Sequence, residues 1–235
     1  MTPPDADTVT ATDPEAPPSA DPNVVTESLE ILLDREERDA VATSADLVRA
    51  LRVDADAVDA AVTHLRARGT LARDGDALRL TDAGRELAAE VVRRHRLTER
   101  LLLDVIGLDW SRVHHEAERW EGVISDEVEA RLVELLGDPG TCPHGNPIPG
   151  SRNRPDQSGA VRLDRAPAGP VHVVRITEEL EADDAALALL EACGFVPGRD
   201  AEVKGVDADG VEVAGTVTDA RLPRAVAEHT YVAPR

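Results

Sequence analysis

Two short runs of this chain place imidazoles and carboxylates at helical spacing. His95 and Glu99 are four residues apart, and His114, Glu118 and Glu121 follow at i, i+4 and i+7. On a helix each set shares one face, and imidazoles converging with carboxylates suit a divalent transition metal. Upstream, Glu27 and Glu30 are three apart, beside an apolar stripe of Leu29, Leu32 and Leu33. Acids on a helix surface ordinarily mean only solvation, so this second pair carries weight only if it meets the first sets. A hydrolytic metal would use similar donors. The chain has no Ser–His–Asp arrangement with an oxyanion loop and no phosphate-cradling glycine motif, so no enzyme is expected.

Several elements must position these residues. Residues 1–22 are acidic and proline-rich without a basic residue, and are expected to be a disordered tail. Helical periodicity is expected from Thr26. Ser44 is placed to cap a helix through Arg52, and a turn near Val53–Ala55 leads to a second helix ending at Gly69. Leu71 to Leu80 reads as a hairpin around Asp74-Gly75-Asp76. Thr81 or Asp82 caps a longer helix running into His95. Helix, turn, helix and hairpin in that order predict a winged helix-turn-helix over 23–94, a reader of double-stranded DNA. A helical segment over 95–150 turns at Ile106–Trp110, continues from Asp109 to Leu136 and closes on a proline- and glycine-rich run that opens a linker over 151–168. From Gly169 the alternation has period two, which predicts an SH3-like β-barrel over 169–235. The fold class is therefore α+β.

The net charge of −20 and the single lysine, Lys204, make the surface almost uniformly acidic. That composition is read as halophilic, because concentrated salt shortens the Debye length to roughly 3 Å at 1 M and screens surface repulsion. No apolar run is long enough to span a membrane, and the acidic N-terminus has no secretory signal. A cytoplasmic protein is expected, with no membrane and no small organic substrate as partner. Cys142 and Cys193 fit no C-x-x-C spacing and read as free thiols. His64, His144, His172 and His229 are isolated and read as surface or packing residues. Trp110 and Trp120 lie on apolar faces of the core or a dimer interface.

The run HRLTERLLLDVIGLDWSRVHHEAERWEGVISDEVEARL, followed by HGNPIPG, resembles the diphtheria-toxin-repressor family of iron- and manganese-dependent transcriptional repressors. The resemblance extends over about residues 24–235 and is weakest at the end. It implies three parts, the winged-helix domain, a helical metal and dimerisation domain and an SH3-like domain, in a homodimer that binds a DNA operator. It also implies two metal sites. His95, Glu99 and His114 match side chains of the ancillary site, with Glu181, Asp183 or Asp184 as candidates to complete it from the SH3-like domain. Glu27, Glu30, Glu118 and Glu121 match ligand positions of the other site, for Mn²⁺ or Fe²⁺.

Two departures stand out. The family follows the last of these glutamates with a metal-binding histidine, where this chain has Gly122. An oxygen-rich set without that imidazole favours harder ions such as Mn²⁺, although Glu30, His95, Glu118 and Glu121 could still form a mixed site. His115 does not obviously supply the missing imidazole. The recognition helix also carries Asp54, Asp56 and Asp59 at its leading end, where they would face phosphates. Thr63, His64, Arg66, Arg68 and the wing's Arg73 and Arg79 remain for DNA contact, with Ser44 at the start of the preceding helix. The sequence thus points to a metal-dependent repressor of metal-uptake genes. The competing readings are a diverged paralogue that modulates a partner without specific DNA binding, and a DNA-binding regulator with little need for metal.

Overall fold

The computed structural model describes residues 20–235; the part of the expected tail at 1–19 lies outside the described residues. The first helix, α1 (Pro22–Glu37), begins before Thr26, because Asp21 accepts from the Asn23 N–H and Pro22 occupies the first turn. Proline is favoured there, having no N–H to leave unpaired and φ already near the helical value.

Next come β1 (Ala42–Thr43), α2 (Ser44–Leu51), α3 (Ala55–Ala67), β2 (Leu71–Asp74) and β3 (Ala77–Leu80). The strands form a sheet in the order β1-β3-β2, and the hairpin pairs Leu71 with Leu80 and Asp74 with Ala77. The expected Ser44 cap is not what forms. Thr43 caps α2 in a reciprocal box with Asp46, the arrangement that satisfies two end donors at once. The Ser44 hydroxyl is buried with no hydrogen-bond partner. Leu29 and Leu32 of α1 pack in one core with Leu47, Val58, Leu65, Leu71 and Leu80. The first helix is thus part of the winged helix-turn-helix and shares its core with α3.

The long helix α4 (Asp82–Leu101) is capped by the Thr81 side chain. A Cβ on Gly84 would sit 1.9 Å from the Thr70 carbonyl oxygen, so only glycine lets α4 pass this close to the hairpin's start. The helix runs through residues 94 and 95 without a break, linking the DNA-reading part to the helical part. It loosens into a π-helical turn, Leu102–Ile106, which ends at Gly107 with φ 81°. The stretch expected to be helical from Asp109 to Leu136 is divided into α5 (Val113–Glu121) and α6 (Asp126–Leu136), because Ser125 starts a new helix by accepting from Val128 N–H.

The proline- and glycine-rich run is only partly a linker. Residues 142–148 are buried, in a turn closed by the Cys142 N–H donating to the Asn146 carbonyl and held by Arg96 donating to the Pro147 carbonyl. The C-terminal part contains β4 (Val161–Arg162), β5 (Gly169–Ile176), α7 (Glu178–Glu181), α8 (Asp184–Cys193), β6 (Asp200–Val206), β7 (Gly210–Ala214), β8 (Asp219–Pro223), α9 (Arg224–Ala227) and β9 (Thr230–Pro234). Its sheet is antiparallel throughout, in the order β4-β9-β5-β6-β7-β8. Here β4 and the buried Leu163 fall inside the span expected to be linker, and Leu163 packs with Val171, Phe195 and Val232.

Buried ion pairs fasten this part to α1 and α4. Asp34 accepts from Arg38, just past the end of its own helix, and from Arg175 of β5. Arg35 reaches Glu179 at 2.5 Å, and Arg96 of α4 reaches Glu178 at 2.6 Å.

Candidate metal centre

Five sequence-distant segments meet where α1, α4 and α5 face α7 and the buried 142–148 turn. His95 and Glu99 come from α4, one turn apart on its buried face, and His114 comes from α5, which packs along α4. The His95 Nδ1 lies 2.5 Å from Glu121 Oε2 and 3.5 Å from Glu30 Oε1. Its Nε2 lies 3.1 Å from His114 Nδ1 and 3.5 Å from Glu99 Oε1. On its other edge, His114 Nε2 lies 3.3 Å from Glu118 Oε1. The sets spaced along the sequence therefore become one continuous buried cluster.

Two further ligand types join it. His144 Nδ1 is 2.9 Å from Glu99 Oε1 and 2.8 Å from Glu181 Oε2. Cys142 offers its sulfur beside Glu99 and His144, all within 4.8 Å of one another. His144, expected to be isolated, is instead fully buried between Glu99 and Glu181. Of the three candidates from the C-terminal part, only Glu181 enters, with Oε2 3.2 Å from His114 Nδ1. Asp183 instead caps α8, and Asp184 lies 3.1 Å from His115 Nε2. Glu178 shares the space around His95, His114 and Glu181. The sequence clue to the missed residues was Cys142-Pro143-His144, two ligand types two apart in a glycine turn; a search confined to C-x-x-C overlooks it.

Charge in the centre is crowded. Burial works against the cationic imidazoles, but neighbouring glutamates outweigh it and hold His95, His114 and His144 well above the usual histidine range. Burial pushes Glu30 well up, and burial with the Glu118 charge lifts Glu27 to about 7. For Glu118 burial is overcome by the hydrogen bond and charge of His114, which hold its carboxyl at about 2. Burial and the Glu99 charge push the Cys142 thiol up to about 12.

The arrangement fits a divalent cation on one further ground. Glu30 Oε1, Glu99 Oε2, Glu178 Oε2 and His144 Nε2 are buried without a hydrogen-bond partner among the described residues. Each such atom costs about 1–3 kcal/mol unless something takes up its lone pair or proton. Donors at Glu30, His95 and Glu121 form one set, bordered by Glu27. Donors at Glu99, Cys142 and His144 form a second, flanked by His114 and Glu181, where a bound cation would take the thiol as thiolate.

The DNA-contact candidates lie apart from this centre. Thr63, His64, Arg66, Arg68, Arg73 and Arg79 are exposed on α3 and the hairpin. None of these four arginines forms an ion pair among the described residues, unlike Arg35, Arg38, Arg96 and Arg175. Ser44 differs, its hydroxyl facing inward. Asp54 has a local role: its side chain accepts from the Ala57 N–H and caps α3.

Comparison with known proteins matches residues 81–150 to the iron dependent repressor metal binding and dimerisation domain. The iron-dependent repressor IdeR of Mycobacterium bovis is 40% identical over 196 residues, covering 79% of this chain and 85% of its own length. Among solved structures, T. acidophilum IdeR superposes with a TM-score of 0.73 at 29% identity, covering 92% of this chain and 99% of its own. A manganese-dependent transcriptional repressor in complex with manganese gives a TM-score of 0.72 at 29% identity, covering 88% and 98%. On sequence and fold alike, the chain belongs to the diphtheria-toxin-repressor and IdeR family of iron- and manganese-dependent repressors.

Proposed function

We propose that this chain is a homodimeric, cytoplasmic transcriptional repressor that binds its DNA operator when Mn²⁺ or Fe²⁺ is held at the buried centre, and that it controls metal-uptake genes. The observation carrying this reading is the convergence of Glu30 from α1 with His95 and Glu121 from α4 and α5. In this reading Glu27, Glu30, His95, Glu118 and Glu121 hold one ion, and Glu99, His114, Cys142, His144 and Glu181 hold another. The cation supplies the positive charge that lets carboxylates of separate helices stay together. Glu27 and Glu30 draw α1 onto α4 and α5, and because α1 shares its core with α3, the recognition helix is set in place. Two copies then present two α3 helices at one spacing, selecting the dimer geometry that fits paired half-sites.

Thr63, His64, Arg66, Arg68, Arg73 and Arg79 serve DNA contact, whereas the Ser44 hydroxyl faces inward. Exposed Val105 and Ile106 offer an apolar surface to a second copy. The division into a DNA-reading part at 23–94, a metal and dimer part at 95–150 and an SH3-like part at 169–235 belongs to the same reading. So does halophilic adaptation, supported by the net charge of −20. Mostly oxygen donors at the first site favour Mn²⁺, whereas the thiol at the second suits a softer ion.

Titrating Mn²⁺ or Fe²⁺ into protein mixed with its own upstream DNA, at fixed high salt, tests the proposal. Binding should appear only with metal and should vanish in His95→Ala and Glu121→Ala. Metal-independent binding contradicts the gating; metal uptake without binding to any duplex favours the partner-modulator reading.

A further inference from the structure

Beside the buried centre, α5 carries a histidine that neither ligand set uses. His115 is 40% exposed along its side chain, and its two ring nitrogens face different carboxylates. Its Nδ1 lies 3.2 Å from Glu118 Oε2, and its Nε2 lies 3.1 Å from Asp184 Oδ1 on α8. The other oxygen of Glu118 lies 3.3 Å from His114 Nε2. Glu118 therefore sits between two imidazoles, and donor atoms of His114, His115 and Glu118 all fall within 4.8 Å of one another.

This group opens onto a cavity that Glu27 and Glu30 line from α1. A second opening joins His115 to Glu27, Glu118 and Glu121. Glu30, which lines that cavity, is buried, and its Oε1 makes no hydrogen bond among the described residues. A helix-surface ion pair between His115 and Glu118 would need neither that cavity nor a carboxylate on the far ring nitrogen. The Asp184 contact adds direction. A carboxylate accepting from Nε2–H holds the proton on that nitrogen and leaves the Nδ1 lone pair facing Glu118. Metal-binding imidazoles are commonly oriented in this way.

We propose that His115 is a metal ligand of this chain through Nδ1, sharing a divalent cation with Glu118 and Glu27, and that Asp184 is its positioning residue. This rests on reading the centre as a metal site, and it couples the site to α8 through Asp184. The ligand adds a second imidazole to a set in which His95 is otherwise accompanied only by carboxylates.

Co²⁺ is the probe, used with the full chain, and its affinity and visible absorption are measured for wild type, His115→Gln and Asp184→Asn. Losing a group that orients a ligand weakens metal binding about 10–100-fold, so Asp184→Asn should lower Co²⁺ affinity by roughly tenfold and His115→Gln by at least as much. His115→Gln should also lose absorption from one Co²⁺ environment. In wild type, the His115 Nδ1 resonance should shift on Zn²⁺ addition, a readout that needs no variant. Unchanged affinity and spectrum in His115→Gln, or an unmoved Nδ1 resonance, overturns the assignment while leaving the metal-gated repressor intact. A wild-type chain that takes up no Co²⁺ overturns both.

Discussion

At Gly122 the backbone is ordinary right-handed helix, φ −69° and ψ −12°, and a Cβ there meets nothing within 4 Å. The position thus needs glycine for neither conformation nor space, and its missing side chain matters only for what it would bring to Glu121 and Glu27. Gly122→His should fold normally and bind Mn²⁺ about tenfold more tightly, read by calorimetric titration. No gain would mean that the imidazole demand is already met. Proton linkage gives a second prediction. His95, His114 and His144 are held well above the usual histidine range by their glutamates, against the effect of burial. In metal-free protein their ion pairs therefore stabilise fully below about pH 6.5, the unfolded histidine value, and that contribution is lost as pH rises through the higher folded values. A metal needs the same imidazoles neutral. The rise in melting temperature on adding Mn²⁺ should consequently grow between about pH 6 and about pH 8. A pH-independent rise would contradict proton displacement at these residues.

The recognition helix shows how one element can serve two demands. Asp54 caps α3, and Asp56 sits in its first turn, where a carboxylate favours the helix dipole. What stabilises the helix thus opposes its approach to phosphate. Asp54→Ala should cost about 1 kcal/mol of stability, measured by denaturant unfolding. Arg66→Ala should weaken binding to all duplexes and lower the slope of log affinity against log salt by about one. An unchanged slope would take Arg66 off the phosphate backbone. In the C-terminal part, α7 is short but decisive, because its one turn aims Glu178 at Arg96, Glu179 at Arg35 and Glu181 at the histidines.

Across the whole molecule, the C-terminal part holds α1 as well as the metal centre. Asp34 is fully buried, and Arg38, Arg175 and Arg96 overcome that burial to keep its carboxyl below the usual range. Removing one member of a buried ion pair leaves charge uncompensated, so Arg175→Met should destabilise the protein by about 3 kcal/mol. It should also weaken Mn²⁺ uptake, since α1 carries Glu27 and Glu30, although no ligand is altered. Urea unfolding and metal titration check the two effects. Loss of stability with unchanged metal affinity would separate the docking of α1 from the site.

Sequence by itself determined the local elements and most of the ligand candidates. Helical spacing put His95 with Glu99 and His114 with Glu118, and period-two alternation placed the C-terminal strands, because both depend on side-chain direction along one element. Motif resemblance added Glu27 and Glu30, far away in the chain. Only tertiary structure decided which long-range partners met. His144 looked isolated because its partners, Glu99 and Glu181, lie 45 and 37 positions away, and a turn bound to Arg96 brings them together. Glu181 rather than Asp183 entered the centre because Asp183 was needed to cap α8. Gly122, by contrast, was legible as a departure from the family, yet whether it was constrained could be seen only from the open space around its Cα.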